Sequence, residues 1–107
     1  MRFLALACVA LALAAAARAA TFHVDRFDDT ASATACMDAM PNDCSLRGAI
    51  IAANAAPGAD TIVLPAGTYG LAIKGAAENM AATGDLDITD DLTLQGAGSA
   101  TTIIDGS

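Results

Sequence analysis

Hydrophobic and polar positions follow three different rhythms along the chain. Residues 4–17 form an unbroken uncharged apolar run. Leu46, Ala49, Ile50 and Ala53 then recur at three- and four-residue spacing, which places them on one side of a helix, and nothing after Asn54 keeps that period for two turns. From Asp60 onward the pattern shortens to β-type segments divided by glycine: Thr61-Ile62-Val63-Leu64, Thr68-Tyr69, Leu86-Asp87-Ile88, Leu92-Thr93-Leu94 and Thr101 to Gly106. Thr21-Phe22-His23-Val24-Asp25 alternates as a first edge strand would. Residues 28–42, rich in Asp, Ala, Ser and Thr, have no period and read as a solvated loop.

The helix predicted within Cys44 to Asn54 has a cap acceptor in Ser45 or Asp43. A capping box from Ser45 would want Glu or Gln at position 48, where Gly48 stands, so this helix should depend on tertiary docking. Asn54 and Pro57-Gly58 end it. The later segments are too short for stable hairpins, and their links lack Asn-Gly or Asp-Gly pairs, which disfavours an antiparallel meander. A mainly β solenoid suits them better, with Leu64 to Ile88 as the length of one coil, and a small sandwich is the alternative. In a solenoid the amphipathic helix would close the open edges and apolar core of the first coil.

The apolar run changes the reading of the first residues. Arg2 starts it, and Ala17-Arg18-Ala19 gives the small-x-small pattern of a signal peptidase site, so residues 1–19 are expected to be an export signal and residues 20–107 one small domain. The run is too short for a comfortable membrane span, and no later segment approaches that length. Cys8 offers a weaker lipoprotein alternative. Removing the signal takes two of the five basic residues and none of the twelve acidic ones, so a formal charge of -7 becomes more negative. Only Arg26, Arg47 and Lys74 then remain as bases, far apart in sequence, which argues against nucleic acid as a partner.

In an oxidising compartment, Cys36 and Cys44 are an even pair and are expected to form a disulfide, worth about 2 to 3 kcal/mol on the chain-entropy account. A metal site is the competing reading, with His23 remote and the cysteine spacing unlike a zinc knuckle. Asp85, Asp87, Asp90 and Asp91 form the densest group of hard oxygen ligands and are weak calcium candidates; solvated turn residues are the alternative. Asp87, Asp91 and Asp105 suit acid–base chemistry only generically. Arg47 is expected in an ion pair or on the helix surface, Lys74 in a Gly- and Ala-rich loop, His23 facing solvent, and Tyr69 packed at a corner. No catalytic set is assembled and no cofactor is called for.

Cys44-Ser45-Leu46-Arg47-Gly48-Ala49-Ile50, followed by Ala53-Asn54 and Pro57-Gly58-Ala59-Asp60-Thr61-Ile62, resembles the N-terminal CSLREA domain of exported bacterial proteins. Leu64-Pro65-Ala66-Gly67-Thr68-Tyr69, Gly84-Asp85-Leu86-Asp87-Ile88-Thr89 and Leu92-Thr93-Leu94-Gln95-Gly96-Ala97-Gly98 extend the resemblance over nearly the whole chain after the signal. It implies a right-handed parallel β-helix of the pectate-lyase-like type, secreted or displayed at the cell surface. Gly48 stands where that family has Glu, and the chain stops at Ser107 where such proteins usually continue, as a fragment would. The expected function is a non-enzymatic secreted or cell-surface β-helix module, the N-terminal cap of an adhesin-like protein, with an extracellular or polysaccharide partner. The alternative is the N-terminal piece of a polysaccharide lyase or hydrolase.

Overall fold

The structure, a computed structural model, describes residues 19–75 and 78–106. The expected export signal, apart from Ala19, and Cys8 lie outside the described residues. The described elements are β1 (Thr21–His23), α1 (Leu46–Ala55), β2 (Asp60–Leu64), β3 (Gly67–Gly70), β4 (Leu92–Gly96) and β5 (Thr102–Asp105). They fall at the strand and helix positions expected from the pattern, with Leu86-Asp87-Ile88 as the exception.

All strand pairs are parallel. One sheet has the order β1-β2-β4, and the other pairs β3 with β5. Parallel neighbours need long crossovers, and the chain provides them: residues 24–59, which include α1, between β1 and β2, and residues 65–91 between β2 and β4. At Pro65-Ala66 the chain turns out of the first sheet into the second. Gly67 has φ +150 there, and a Cβ on it would lie 2.3 Å from Cε1 of Phe27, so the close ring and the backbone both favour glycine.

The helix forms because its end is capped and its apolar stripe has somewhere to go. Ser45 Oγ accepts from Gly48 N at 2.8 Å and donates to the Thr30 carbonyl at 2.7 Å, so one hydroxyl caps the helix and ties it to the preceding loop. Leu46, Ala49, Ile50 and Ala53 are buried with Val24, Ile62, Leu64 and Tyr69 in a single core. Burying each large aliphatic side chain contributes about 1.5–3 kcal/mol, which outweighs the low helix propensity of Gly48. The Cys36–Cys44 disulfide joins the loop to the residue before the cap, as expected.

The expected right-handed parallel β-helix is not formed. The described strands make two small parallel sheets and one helix, with no succession of coils. Two features explain the difference. The partners in the first sheet lie at unequal intervals, since Thr21 pairs with Thr61 and Thr61 with Thr93. Leu86-Asp87-Ile88, the segment on which the coil length rested, is not a strand. Its backbone is bonded by a side chain instead: Asn54 Nδ2 donates to Asp87 O at 2.8 Å, and Thr89 N donates to Asn54 Oδ1 at 2.9 Å. The role of α1 changes accordingly, from closing a coil to packing its apolar face on β1 and β2. The loop at 28–42 also differs from the solvated excursion expected of it, because Ala33 and the Asp29 side chain are buried.

Candidate functional site

Two places concentrate chemistry. The first is internal. Arg47 leaves α1 on its buried side, three residues before Ile50, and its side chain is 0% exposed, as the Asp29 side chain is 1% exposed. Arg47 Nε donates to Asp29 Oδ1 at 2.6 Å and Nη2 to Oδ2 at 3.0 Å, a two-pronged pair. Nη1 donates to the Ala81 carbonyl and Nη2 also to that of Gly84, each at 2.8 Å. Asp29 Oδ2 further accepts from Ala72 N at 2.7 Å and Ile73 N at 2.8 Å. Burial alone would raise the Asp29 carboxyl, but Arg47 and the Ile73 and Ala72 N–H groups outweigh it and hold the carboxyl below its ordinary value. Both charges are paired and bonded, so this centre joins the loop, the helix and two later segments. It offers no open position to a substrate.

The second place is the open end of the two sheets. Register stacks Phe22, Ile62 and Leu94 in one row, and Tyr69 beside Ile104 in the other. Ile62 and Tyr69 are buried, whereas Leu94 is 40% and Ile104 is 42% exposed. Among the described residues no strand pairs with the outer side of β4 or of β5. A recess of about 400 Å³ opens here, lined by Leu64, Leu94, Gly96, Thr102 and Ile104 among others. Strand edges with no neighbouring strand, aligned parallel strands and a row of aliphatic side chains are the features that accept an added strand.

The acidic candidates are dispersed among local duties. Asp87 Oδ2 accepts from Ala81 N at 3.3 Å, and Asp90 Oδ1 accepts from Asp91 N at 2.9 Å. Asp85 lines a recess of about 620 Å³ together with Lys74 and Gly106. Among the described residues no three His, Cys, Asp or Glu side chains are gathered to hold a metal ion. His23 is exposed. Tyr69 is buried, its hydroxyl donating to the Pro65 carbonyl at 2.6 Å and its ring centroid 5.1 Å from that of Phe27. Sequence reasoning misses Asp29 as the partner of Arg47. The available signal is Arg47 itself, at helical spacing with Ile50 on the apolar side, which demands a buried acid.

Compared with protein-family models, with curated proteins and with solved structures, the chain matches none. Among the described residues no helix is long and apolar enough to cross a membrane.

Proposed function

We propose that the chain is a non-enzymatic exported module whose working surface is the open end formed by β4 and β5, and that this end takes an extended strand from a basic extracellular polypeptide. The observation that carries the reading is the break in burial along each row: Leu94 above Ile62 and Ile104 above Tyr69 lie in register for a further layer and are uncovered. Charge indicates the kind of partner. From Gly75 to Gly106 there is no Lys, Arg or His, and Asp90 and Asp91 directly precede β4. A strand that alternates aliphatic residues with Lys or Arg would complement both the row and its rim. The disulfide between Cys36 and Cys44 suits an oxidising compartment, and the resemblance to CSLREA domains supports export to the cell surface.

The test uses a synthetic peptide of alternating valine and lysine. Binding should protect the backbone amides of Leu92–Gly96 and Thr102–Asp105 from hydrogen exchange, and Leu94→Asp with Ile104→Asp should abolish it. Equal binding by the double variant, or none by the parent chain, overturns the reading. The polysaccharide lyase or hydrolase reading has weaker support, because, of its acid–base candidates, Asp87 is engaged in a local bond, and an acidic polymer would meet an acidic end. Depolymerisation of an acidic polysaccharide, with or without calcium, would restore it.

A further inference from the structure

Ala20 is held by β2 on both sides of its own residue. Its carbonyl accepts from Thr61 N at 2.9 Å, and its N–H donates to Asp60 Oδ1 at 2.9 Å. Asp60 is 1% exposed, and its other oxygen, Oδ2, is buried with no hydrogen-bond partner among the described residues. The strand does not need this carboxylate for its own pairing, since Asp60 N already donates to the Asp91 carbonyl at 3.1 Å. Among the described residues no base compensates it either. Arg26 is paired with Asp28 and Arg47 with Asp29, the two ion pairs among the described residues. A buried carboxylate that receives one neutral N–H is poorly compensated, and the missing element is a cation with more than one donor.

The sequence supplies that cation at one place. Ala19, which is exposed, ends the Ala17-Arg18-Ala19 pattern, so the bond expected to be cut is the one that contains Ala20 N. We propose that cleavage between Ala19 and Ala20 creates the counterion of Asp60, and that the processing site is therefore also a folding lock. A signal peptidase adds water across the peptide bond: the Ala19 carbonyl keeps the oxygen as a carboxylate, and Ala20 N becomes an ammonium. With Ala20 held by Thr61 N, one ammonium hydrogen stays on Asp60 Oδ1 and a second can serve Oδ2. Among the described residues the uncut chain offers this acid no cation, and the cut chain does. In a chain exported unfolded, cleavage follows translocation, so this pair adds stability after export rather than before it.

The inference rests on the export reading, and the experiment separates the two. The amino terminus of protein recovered outside the producing cells is sequenced first. A start at Ala20 is expected; another start, or an uncut chain, in protein recovered outside the cells overturns the proposal and leaves export standing, whereas protein found only inside the cells overturns the export premise as well. The cut protein is then compared with the same protein acetylated at its α-amine, with Asp60 or Asp60→Asn. Acetylation should lower the folding constant about tenfold or more in the parent and have much less effect in Asp60→Asn. Equal effects overturn the pairing and leave export standing. Should Asp60→Asn fail to fold, reactivity decides: the Ala20 amine of the folded parent should react with an acylating reagent at least about tenfold more slowly than in urea. Equal rates would overturn the lock.

Discussion

Arg47 and Asp29 form a two-pronged ion pair from which water is excluded on both sides, and the pair joins α1 to a loop that precedes it in sequence. Because Asp29 also accepts from Ala72 and Ile73 N–H groups, removing Arg47 leaves a buried carboxylate with neutral donors only. Arg47→Met is expected to cost about 3–5 kcal/mol in urea unfolding, and Arg47→Lys to recover little, since an ammonium cannot span both oxygens and the Ala81 and Gly84 carbonyls.

The same pair gives the stability an acid limb. The Asp29 carboxyl lies below its ordinary value in the folded chain, so its contribution is complete above the unfolded value of about 3.9 and is lost as pH falls through the folded one. Urea midpoints should hold near neutral pH and drop below about pH 4, and Asp29→Asn should flatten that drop while lowering the plateau. Asp28, lowered chiefly by its bond to Arg26, moves in the same direction but is exposed. Its share should vanish in about 0.5 M salt, and the Asp29 share should persist.

Gly48 reverses the expectation from helix propensity. In an isolated helix Gly→Ala gains about 1 kcal/mol. Here a Cβ on Gly48 would sit 1.8 Å from the Ala33 carbonyl oxygen, a backbone atom that also accepts from Ser45 N at 3.2 Å. Gly48→Ala should therefore destabilise the fold, by about 1–3 kcal/mol as overpacking does, and Gly48→Glu more. Thermal melts that show either variant unchanged or more stable would mean that the loop is free to move away.

The contrast between these centres shows what is legible in the chain. The strands can be located because β-rich residues stop at Pro65, Gly70, Gly96 and Gly106, and α1 because Leu46, Ala49, Ile50 and Ala53 recur on one face. The stacking of the strands is not legible. Pairing partners lie at unequal intervals, and Leu86-Asp87-Ile88 has the composition of a strand while Asn54 takes its backbone bonds. Asp29 is equally hidden, since among Asp28, Asp29 and Asp38 only the docked position of α1 selects one. Gly48 looks like a defect of the helix until the Ala33 carbonyl opposite it is known. Spacing along the chain records local period, whereas these features depend on contacts between distant segments.

Asn54 uses its amide as a neighbouring strand would use its backbone, donating to Asp87 O and accepting from Thr89 N. Asn54→Asp keeps the acceptor and loses the donor, and Asn54→Leu loses both. Losses of about 1 kcal/mol and about 2–3 kcal/mol are expected in that order. Faster hydrogen exchange of Thr89 N in Asn54→Leu, and not in Asn54→Asp, would assign the two bonds separately.

The disulfide should act through Asp29 as well as through chain entropy. Cys36 holds a positive φ of 50, and its neighbour Met37 donates its N–H to Asp43 Oδ2 at 2.8 Å, so the closed loop is also held by hydrogen bonds at its base. The Thr30 carbonyl bonded to the cap hydroxyl and the Ala33 carbonyl bonded to Ser45 N both lie just before that loop, on the segment that follows Asp29. Freeing Cys36 from Cys44 would loosen the segment that presents Asp29 to Arg47. Mass spectrometry of protein produced in an oxidising compartment should find both thiols in one intramolecular link, and Cys36→Ser with Cys44→Ser should cost about 2 to 3 kcal/mol. Chain entropy alone makes that cost the same with Asp29 or Asn at position 29. Transmission through the loop makes it smaller in Asp29→Asn, by about 0.5 kcal/mol or more in a double-mutant cycle, because the contact it would loosen is already gone. Additive costs would confine the disulfide to its own loop.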